Sequence, residues 1–286
     1  MPVQLLGAAE IRSLAAELDL TPTKKLGQNF VVDANTVRKI VQVAGVEPGE
    51  RVVEVGPGLG SLTLAVLETG ASVTAVEIDH RLAELLPRTA AAHGVPPEAL
   101  TVTDADALRV TELAGDPTVL VANLPYNVSV PVLLHFLETF PGLSRGVVMV
   151  QAEVGERLAA PPGSKVYGAP SAKAAWYGPW RLAGTVSRQV FWPVPNVDSV
   201  LVAFRRDAEP RGDEALRRRT FQIVDAAFQQ RRKMLRQALA AVLGGTAAEA
   251  SAVLESARVA PTARGEQLGI DDFVRVALAS PGAGPG

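Results

Sequence analysis

The chain has 286 residues, of which 48% are hydrophobic, and a formal net charge of −2, so we expect two unequal domains with a well-packed core. The absence of cysteine excludes disulfides, thiolate metal sites and cysteine nucleophiles, and three widely spaced histidines disfavour a histidine-based metal site. Because no apolar run is long enough to cross a bilayer and the N-terminus lacks a signal-peptide pattern, we expect a cytoplasmic protein with no membrane or metal partner.

A short helix is predicted over residues 1–20, and a basic loop with a glycine follows it. Lys24 and Lys25 in this loop are placed to meet phosphate. The adjacent amides of Gln28 and Asn29 are placed to close over a small polar ligand. A solvated loop, anchored by the phenylalanine after the amides, is an equally good interpretation.

Strands and helices then alternate along the chain. Apolar, β-branched runs predict strands at residues 51–55, 72–77, 100–103, 118–122 and 146–150. The intervening segments predict helices at residues 34–44, 61–69, 80–92 and 131–140. Asp33 is the predicted N-cap of the first of these helices. This alternation predicts an α/β fold with a doubly wound sheet.

A glycine-rich loop, Gly56-Pro57-Gly58-Leu59-Gly60, follows the first of these strands and leads directly into a helix. Glycine lets the backbone approach a ligand. Ser61 stands where a dinucleotide-binding loop would have its third glycine, which disfavours a dehydrogenase. Glu77 lies 21 residues beyond Gly56, at the tip of the next strand, where a carboxylate can bind both hydroxyls of a ribose. Loop and acid together predict an adenosine-containing cofactor, against the alternative of a plain turn and a surface glutamate.

Further ligand candidates follow the third and fourth predicted strands. After the third strand, Asp104 or Asp106 could accept a hydrogen bond from an adenine amine, and spacing alone does not separate them. After the fourth strand comes Asn123-Leu124-Pro125-Tyr126. The Asn123 oxygen and a free backbone carbonyl could accept from one NH2 group, and Tyr126 could stack on a flat base. The alternative is an Asn-Pro turn with a core tyrosine.

The alternation stops after residue 150, where a long loop is predicted at 161–168, followed by strands at 181–190 and 197–204. Phe191 and Trp192 begin the proline-bearing connection between those strands, as core residues or as a stacking face. Helices are then predicted at residues 213–229, 231–243, 246–256 and 271–279, and a disordered tail at 280–286.

We place the domain boundary near Arg206, which divides the chain into residues 1–205 and residues 206–286. Between positions 205 and 236 there are ten Arg or Lys residues and five Asp or Glu residues, a local net charge of +5. Such a stripe can bind phosphates even on a protein with little net charge, although a solvated helix face is as good an interpretation.

Eight segments in order along the chain form a recognisable set. They are Leu26-Gly27-Gln28-Asn29-Phe30, residues 54–63, Val76-Glu77-Ile78-Asp79, Asp106-Ala107, Asn123-Leu124-Pro125-Tyr126-Asn127, Ser164-Lys165-Val166-Tyr167-Gly168, residues 191–199 and residues 228–233. This ordered set resembles the bacterial KsgA-type small-subunit rRNA adenine dimethyltransferases. The resemblance extends over residues 23–279, and its specificity comes from the ordered set. Trp192 makes the 191–199 loop bulkier than is usual in the family.

The resemblance implies a class I, Rossmann-like domain that uses S-adenosylmethionine, followed by a small helical domain that contacts RNA. By matching motif, the cofactor would be contacted by Gln28, Asn29, Val31, Gly56, Gly58, Glu77, Ile78, Asp106, Ala107 and Asn123. Asn123 and the Leu124 carbonyl would orient the target amine, and Tyr126 and Phe191 would bracket the target base. RNA would be contacted by Lys24, Lys25, Lys165, Arg231, Arg232 and Lys233.

The resemblance also implies the reaction, which is dimethylation of two adjacent adenosines near the 3′ end of small-subunit (16S) rRNA. The expected partner is that rRNA within an immature 30S subunit, and the expected oligomeric state is a monomer. The alternatives are a large-subunit rRNA methyltransferase of the macrolide-resistance type and a ribosome-assembly factor whose catalysis is secondary. A DNA adenine methyltransferase would more often carry Asp at position 123.

Overall fold

The computed structural model describes residues 3–20, 29–125 and 127–280. The chain divides into two compact units. The first comprises the residues up to Gly155 together with Arg181–Arg206, and the second comprises Glu156–Trp180 and the residues from Asp207 onward. One crossing between the units thus falls at the boundary drawn near Arg206. The predicted division assigns residues 156–180 to the first domain, whereas in the structure they belong to the second unit.

Within the described residues, seven strands form one sheet and two short strands form another. The strands are β1 (Phe30–Val31), β2 (Arg51–Val55), β3 (Ser72–Glu77), β4 (Leu100–Asp104), β5 (Val119–Asn123), β6 (Arg145–Gln151), β7 (Trp180–Val186), β8 (Phe191–Trp192) and β9 (Ser199–Arg205). The large sheet has the order β4-β3-β2-β5-β6-β9-β7. In this sheet the neighbouring strands β4, β3, β2, β5 and β6 are parallel, and β9 pairs antiparallel with β6. In the small sheet, β1 pairs antiparallel with β8.

The helices of the first unit connect these strands. They are α1 (Ala8–Glu17), α2 (Ala34–Ala44), α3 (Ser61–Glu68), α4 (His80–Ala92), α5 (Ser129–Thr139) and α6 (Ala152–Leu158), the last of which ends in the second unit. Asp33 caps α2 as predicted, since its carboxylate accepts from the Thr36 N–H at 2.7 Å. Val37, Ile40 and Val41 form the buried face of α2.

The strands β2 and β5 lie at the centre of the sheet and are apolar on both faces. Val52 and Val53 on β2, and Val119 and Val121 on β5, are 0% exposed. A parallel strand covered by helices on both sides buries successive residues, which explains why these runs are continuous in apolar side chains. This packing fixes where each strand ends and hence where the residues after it stand.

The second unit is helical and has its own hydrophobic core. Its helices are α7 (Ala169–Ala175), α8 (Glu214–Gln229), α9 (Leu235–Ala238), α10 (Ala247–Ser256) and α11 (Ile270–Ala279). Tyr167 joins this core and its hydroxyl donates to the Leu268 carbonyl at 2.8 Å. This buried contact helps to explain why residues 156–180 belong to the helical unit. In the described part of the chain, no helix is long and apolar enough to cross a membrane.

Among the described residues, two predicted elements differ from the structure and several observed elements were not predicted. The strand predicted over 181–190 ends at Val186, and β1 lies in a stretch that was expected to be loop. The helix predicted over 231–243 is a turn followed by the short α9, because the Leu235 N–H donates to the Ala263 carbonyl at 2.8 Å rather than to its own preceding turn. Helices α6 and α7 were not predicted.

Candidate active site

A cavity of about 290 Å³ in the first unit lies at the carboxyl ends of β2, β3, β4 and β5. Open α/β sheets bind ligands at this edge, outside the ends of their parallel strands. The cavity is lined by ten of the residues that the sequence nominated, namely Asn29, Val31, Gly56, Gly58, Glu77, Ile78, Asp106, Ala107, Asn123 and Leu124. Residues from positions 29 to 124 are thus gathered around one space.

The glycine-rich loop after β2 forms one wall of the cavity. Gly56 and Gly58 have φ angles of 68° and 57°, in the left-handed region that glycine adopts without a steric penalty. A Cβ atom on Gly58 would lie 3.0 Å from Cε1 of Phe30, whose ring also lines the cavity. The loop therefore brings bare backbone to the cavity, and Phe30 fills the space where a side chain would stand.

Glu77 is held rigidly at the end of β3. One carboxylate oxygen accepts from the Gly58 N–H at 3.1 Å, and the other accepts from the backbone N–H groups of Ile78 and Asp79 at 2.9 and 3.0 Å. Burial raises the pKa of Glu77 above its usual range, while these three N–H donors act in the opposite direction. The oxygen that accepts two of these bonds has both lone pairs engaged, whereas Oε2, which accepts only from Gly58, keeps one lone pair for a hydroxyl group of a ligand.

Glu54 and Ser61 also line the cavity, although neither was predicted from the sequence as a site residue. Within the described residues, Glu54 Oε2 and Ser61 Oγ are buried without a hydrogen-bond partner. Burial raises the pKa of Glu54 to about 8; the Thr63 hydroxyl lowers it and the Glu77 charge raises it further. Unpartnered polar atoms in a cavity wall indicate a ligand with donor groups. The sequence signal was available, since Glu54 is the acidic residue in the strand just before the glycines.

The structure separates the two aspartates after β4. Asp106 lines the cavity and accepts from the Leu108 N–H at 2.9 Å. Asp104 does not line it, and its carboxylate contacts His80 Nδ1 at 2.6 Å. Ile78 and Leu108 are exposed apolar residues on the cavity wall, 59% and 39% accessible. An acidic acceptor beside open apolar surface suits a flat heterocycle with an exocyclic amine.

Asn123 ends β5 with its side chain fixed by hydrogen bonding. Its Nδ2 donates to the Asn29 carbonyl at 3.1 Å, so that Oδ1, the acceptor, remains for a ligand. Leu124 follows with a buried side chain, and its N–H donates to the Met149 carbonyl at 3.1 Å. The backbone carbonyl is therefore the group with which Leu124 can act. Two acceptors on adjacent residues can hold one NH2 group.

Phe191 was expected to bracket the target base beside this cavity, but in the structure it does not line the cavity. It is 2% exposed and belongs to the hydrophobic core of the first unit. The reason is its strand pairing, since β8 aligns Phe191 with Val31 and Trp192 with Phe30. Of the two possibilities left open for the 191–192 pair, the structure places Phe191 as a core residue.

The remaining candidate residues are either outside the described residues or in the second unit. Gln28, Tyr126, Lys24 and Lys25 are outside the described residues. In the second unit, Lys165, Arg231, Arg232 and Lys233 are all exposed. The Arg231 guanidinium is already engaged there, with Glu266 at 2.7 Å and the Lys165 carbonyl at 2.9 Å. Arg231 therefore supports the fold of the second unit, whatever else it contacts. Among the described residues, no group of three or more His, Cys, Asp or Glu side chains could hold a metal ion.

The sequence of this chain is similar to a known protein family and to named relatives. A family model described as ribosomal RNA adenine dimethylase matches residues 20–278. The ribosomal RNA small subunit methyltransferase A of Leifsonia xyli is 70% identical over 278 residues, covering 96% of this chain and 98% of the relative. The protein of the same name from Streptomyces coelicolor is 59% identical, with 96% and 97% coverage.

Two solved structures share the fold. The 23S rRNA methyltransferase ErmE is similar with a TM-score of 0.66 and 26% identity, covering 88% of this chain and 99% of its own. A dimethyladenosine transferase from Plasmodium falciparum is similar with a TM-score of 0.74 and 23% identity, covering 85% of this chain and 94% of its own.

Proposed function

The chain belongs to the ribosomal RNA adenine dimethylase family, and from that membership we propose that it dimethylates adenosines of small-subunit rRNA on their exocyclic amines, with S-adenosylmethionine as cofactor. The main structural support for this function is that a single cavity is lined both by residues suited to a cofactor and by residues suited to a target amine. The glycine loop and Glu77 suit an adenosine-containing cofactor, and Asn123 and Leu124 suit a target amine. The KsgA-type resemblance and the class I fold expected from the sequence are confirmed by the family match and the similar structures.

The residues around the cavity fit S-adenosylmethionine. Glu77 would accept from its ribose through Oε2, Asp106 would accept from its adenine amine, and the apolar surface of Ile78 and Leu108 would cover the flat ring. Glu54 Oε2 and Ser61 Oγ would receive the donors of its amino-acid end. When bound, the cofactor supplies a methyl group that is activated by a positively charged sulfur.

Asn123 and Leu124 act on the target amine by position. The adenine nitrogen shares its lone pair with the ring and is a poor nucleophile. Hydrogen bonds from its two N–H groups to Asn123 Oδ1 and the Leu124 carbonyl orient the amine and favour a pyramidal nitrogen. Alignment of this kind can lower a barrier by up to ~7–11 kcal/mol in ideal cases. Asn123 takes no proton, because an amide is not basic at neutral pH, and the proton leaves to water.

The finer features of the proposal follow the family. The targets are two adjacent adenosines near the 3′ end of the rRNA, and the substrate is an immature 30S subunit. We propose that the protein acts in the cytoplasm as a monomer. Tyr126 is proposed to stack on the flipped base, and Lys24, Lys25, Lys165, Arg232 and Lys233 to contact RNA phosphates. Phe191 could join the target base only if β8 rearranges, so we propose it for the substrate-bound form alone.

Mass mapping of methylated adenosines tests the proposal. The full chain is incubated with isotope-labelled S-adenosylmethionine and small subunits that lack the modification, and large subunits serve as a parallel substrate. We expect two methyl groups on each of two adjacent small-subunit adenosines. A product confined to the large subunit would support the macrolide-resistance alternative. Binding to immature small subunits without any product would support an assembly factor.

A further inference from the structure

The strand pair β1–β8 connects the cofactor cavity to the 191–198 segment within the first unit. Phe30 and Val31 on β1 align with Trp192 and Phe191 on β8, and the Val32 N–H extends the pairing by donating to the Val190 carbonyl at 2.8 Å. Both residues of β1 line the cavity. The wall of the cavity is therefore hydrogen bonded, strand to strand, to the start of the 191–198 segment.

Aromatic packing reinforces this connection. The rings of Phe30 and Trp192 are stacked, with centroids 6.3 Å apart and planes at 24°. Phe30 also lies against Gly58, where a Cβ atom would come within 3.0 Å of the ring. Phe30 thus contacts both Trp192 and the glycine loop. Next to it, the Asn29 carbonyl receives the Asn123 amide at 3.1 Å. The strand β1 and the residue just before it therefore touch both the glycine loop and Asn123.

We propose that Trp192 is a positioning residue for the cofactor cavity, and that β1–β8 transmits occupancy of the cavity to the 191–198 segment. Trp192 holds Phe30 against Gly58, which fixes the backbone of the glycine loop for the cofactor. In return, a bound cofactor restrains Phe30 and, through the stack, the start of the 191–198 segment. This inference rests on the proposed function, because the occupant is S-adenosylmethionine or its demethylated product.

Affinity for S-adenosylhomocysteine, measured by calorimetry on the full chain, tests the positioning role. Trp192→Ala removes the stack and should weaken binding about fivefold to tenfold, the range of a lost aromatic pair. Trp192→Phe keeps a ring and should restore binding to within about twofold. Val194→Ala, on the same segment and exposed, is the matched control and should bind as the unchanged protein does. Unchanged affinity in Trp192→Ala would overturn the proposal.

Intrinsic fluorescence tests the coupling without a destabilising substitution. The chain has three tryptophans, and only Trp192 stacks on the cavity wall among the described ring contacts. Addition of S-adenosylhomocysteine should change tryptophan emission in the unchanged protein, and the change should disappear in Trp192→Phe. An equal change in both proteins would refute the coupling. Methyl transfer to rRNA is measured in a separate assay. If S-adenosylhomocysteine binds with the expected dependence on Trp192 but no methyl group is transferred, the proposed function is refuted and the positioning role of Trp192 is not.

Discussion

Asn123 and Glu54 are the two side chains whose chemistry the cavity defines most sharply. Asn123 is anchored by its NH2 group to the Asn29 carbonyl, so its acceptor oxygen has a fixed direction. Glu54 is 1% exposed and one of its oxygens has no partner among the described residues. Asn123 is therefore arranged to orient a neutral hydrogen-bond donor. Glu54 has a buried oxygen that lacks a partner among the described residues, so it is suited to bind a donor or a positively charged group of a ligand.

Replacement of Asn123 should separate binding from turnover. Asn123→Ala removes one of the two amine acceptors while leaving the glycine loop and Glu77 in place. We expect kcat for rRNA methylation to fall by about 100-fold or more, since small losses of alignment have effects of that size. Affinity for S-adenosylhomocysteine should fall only a few-fold. The exposed Asn35 supplies the matched Asn35→Ala control, and a kcat within a few-fold of the unchanged protein would remove Asn123 from the mechanism.

Glu54 should make the free energy of unfolding depend on pH. Its pKa rises from the usual 4.5 in the unfolded chain to about 8 in the folded protein. The stability that this group contributes is fully present below the unfolded value and is lost as the pH rises toward about 8, because the unfolded chain ionises first. Glu54→Gln should therefore be stabilising by about 1–3 kcal/mol at pH 8 relative to its effect at pH 5. Denaturant unfolding at both pH values measures this, and a pH-independent difference would contradict it.

The element that organises the site is the turn from β2 into α3. Its glycines adopt left-handed φ angles, and Gly60 forms the N-cap of α3 with φ 97°. Gly58 in this turn donates its N–H to Glu77 of β3 and lies against Phe30 of β1. A Cβ atom would come within 3.0 Å of Phe30 at Gly58 and within 2.7 Å of Leu86 at Gly60, so both positions favour glycine.

Gly58→Ala should therefore weaken cofactor binding by more than the strain in the backbone alone would explain. An L-residue in the left-handed region costs about 1–2 kcal/mol, and the new Cβ would press on Phe30. We expect affinity for S-adenosylhomocysteine to fall by roughly tenfold or more. Gly49→Ala is the matched control, since Gly49 has a φ of 81° with nothing within 4 Å of the added atom. Equal losses of affinity in the two variants would mean that the Phe30 contact is irrelevant.

At the scale of the whole molecule, charge is distributed unevenly while the net charge is only −2. The second unit carries the exposed Arg231, Arg232 and Lys233 in the turn that precedes α9. Arg231 is committed to Glu266 and the Lys165 carbonyl. Among these three cations, Arg232 and Lys233 are therefore the better candidates for phosphate contacts.

Removal of these two charges should change how RNA binding responds to salt. The double variant Arg232→Ala/Lys233→Ala should lower the slope of log affinity against log salt by roughly 1.5–2, because each phosphate contact releases about one counterion. The matched control is Arg38→Ala/Lys39→Ala, an exposed basic pair on α2 in the first unit. A salt slope equal to that of the unchanged protein would identify the basic stripe as a solvated surface. Arg231→Ala, in contrast, should also reduce the stability of the second unit.

The sequence by itself determined the alternating α/β architecture and the family. Continuous apolar β-branched runs are typical of strands that are buried on both faces, and the boundaries of β2 and β3 were predicted to the residue. Local signals such as the Asp33 cap and the glycine turn depend on neighbouring residues alone, so they can be read from the chain. The ordered motifs then specified the reaction, which the family match supports.

Tertiary structure decided which side chains face the cavity. In the register of β3 with β4, Glu77 lies opposite Asp104, whose carboxylate is bound by His80, and Asp106 reaches the cavity instead. Phe191 is buried because β8 pairs with β1, and Arg231 is occupied because Glu266 lies beside it. Each outcome depends on a contact between residues far apart in the chain. Periodicity and spacing carry no information about such contacts, because they are fixed only when strands and turns pack together.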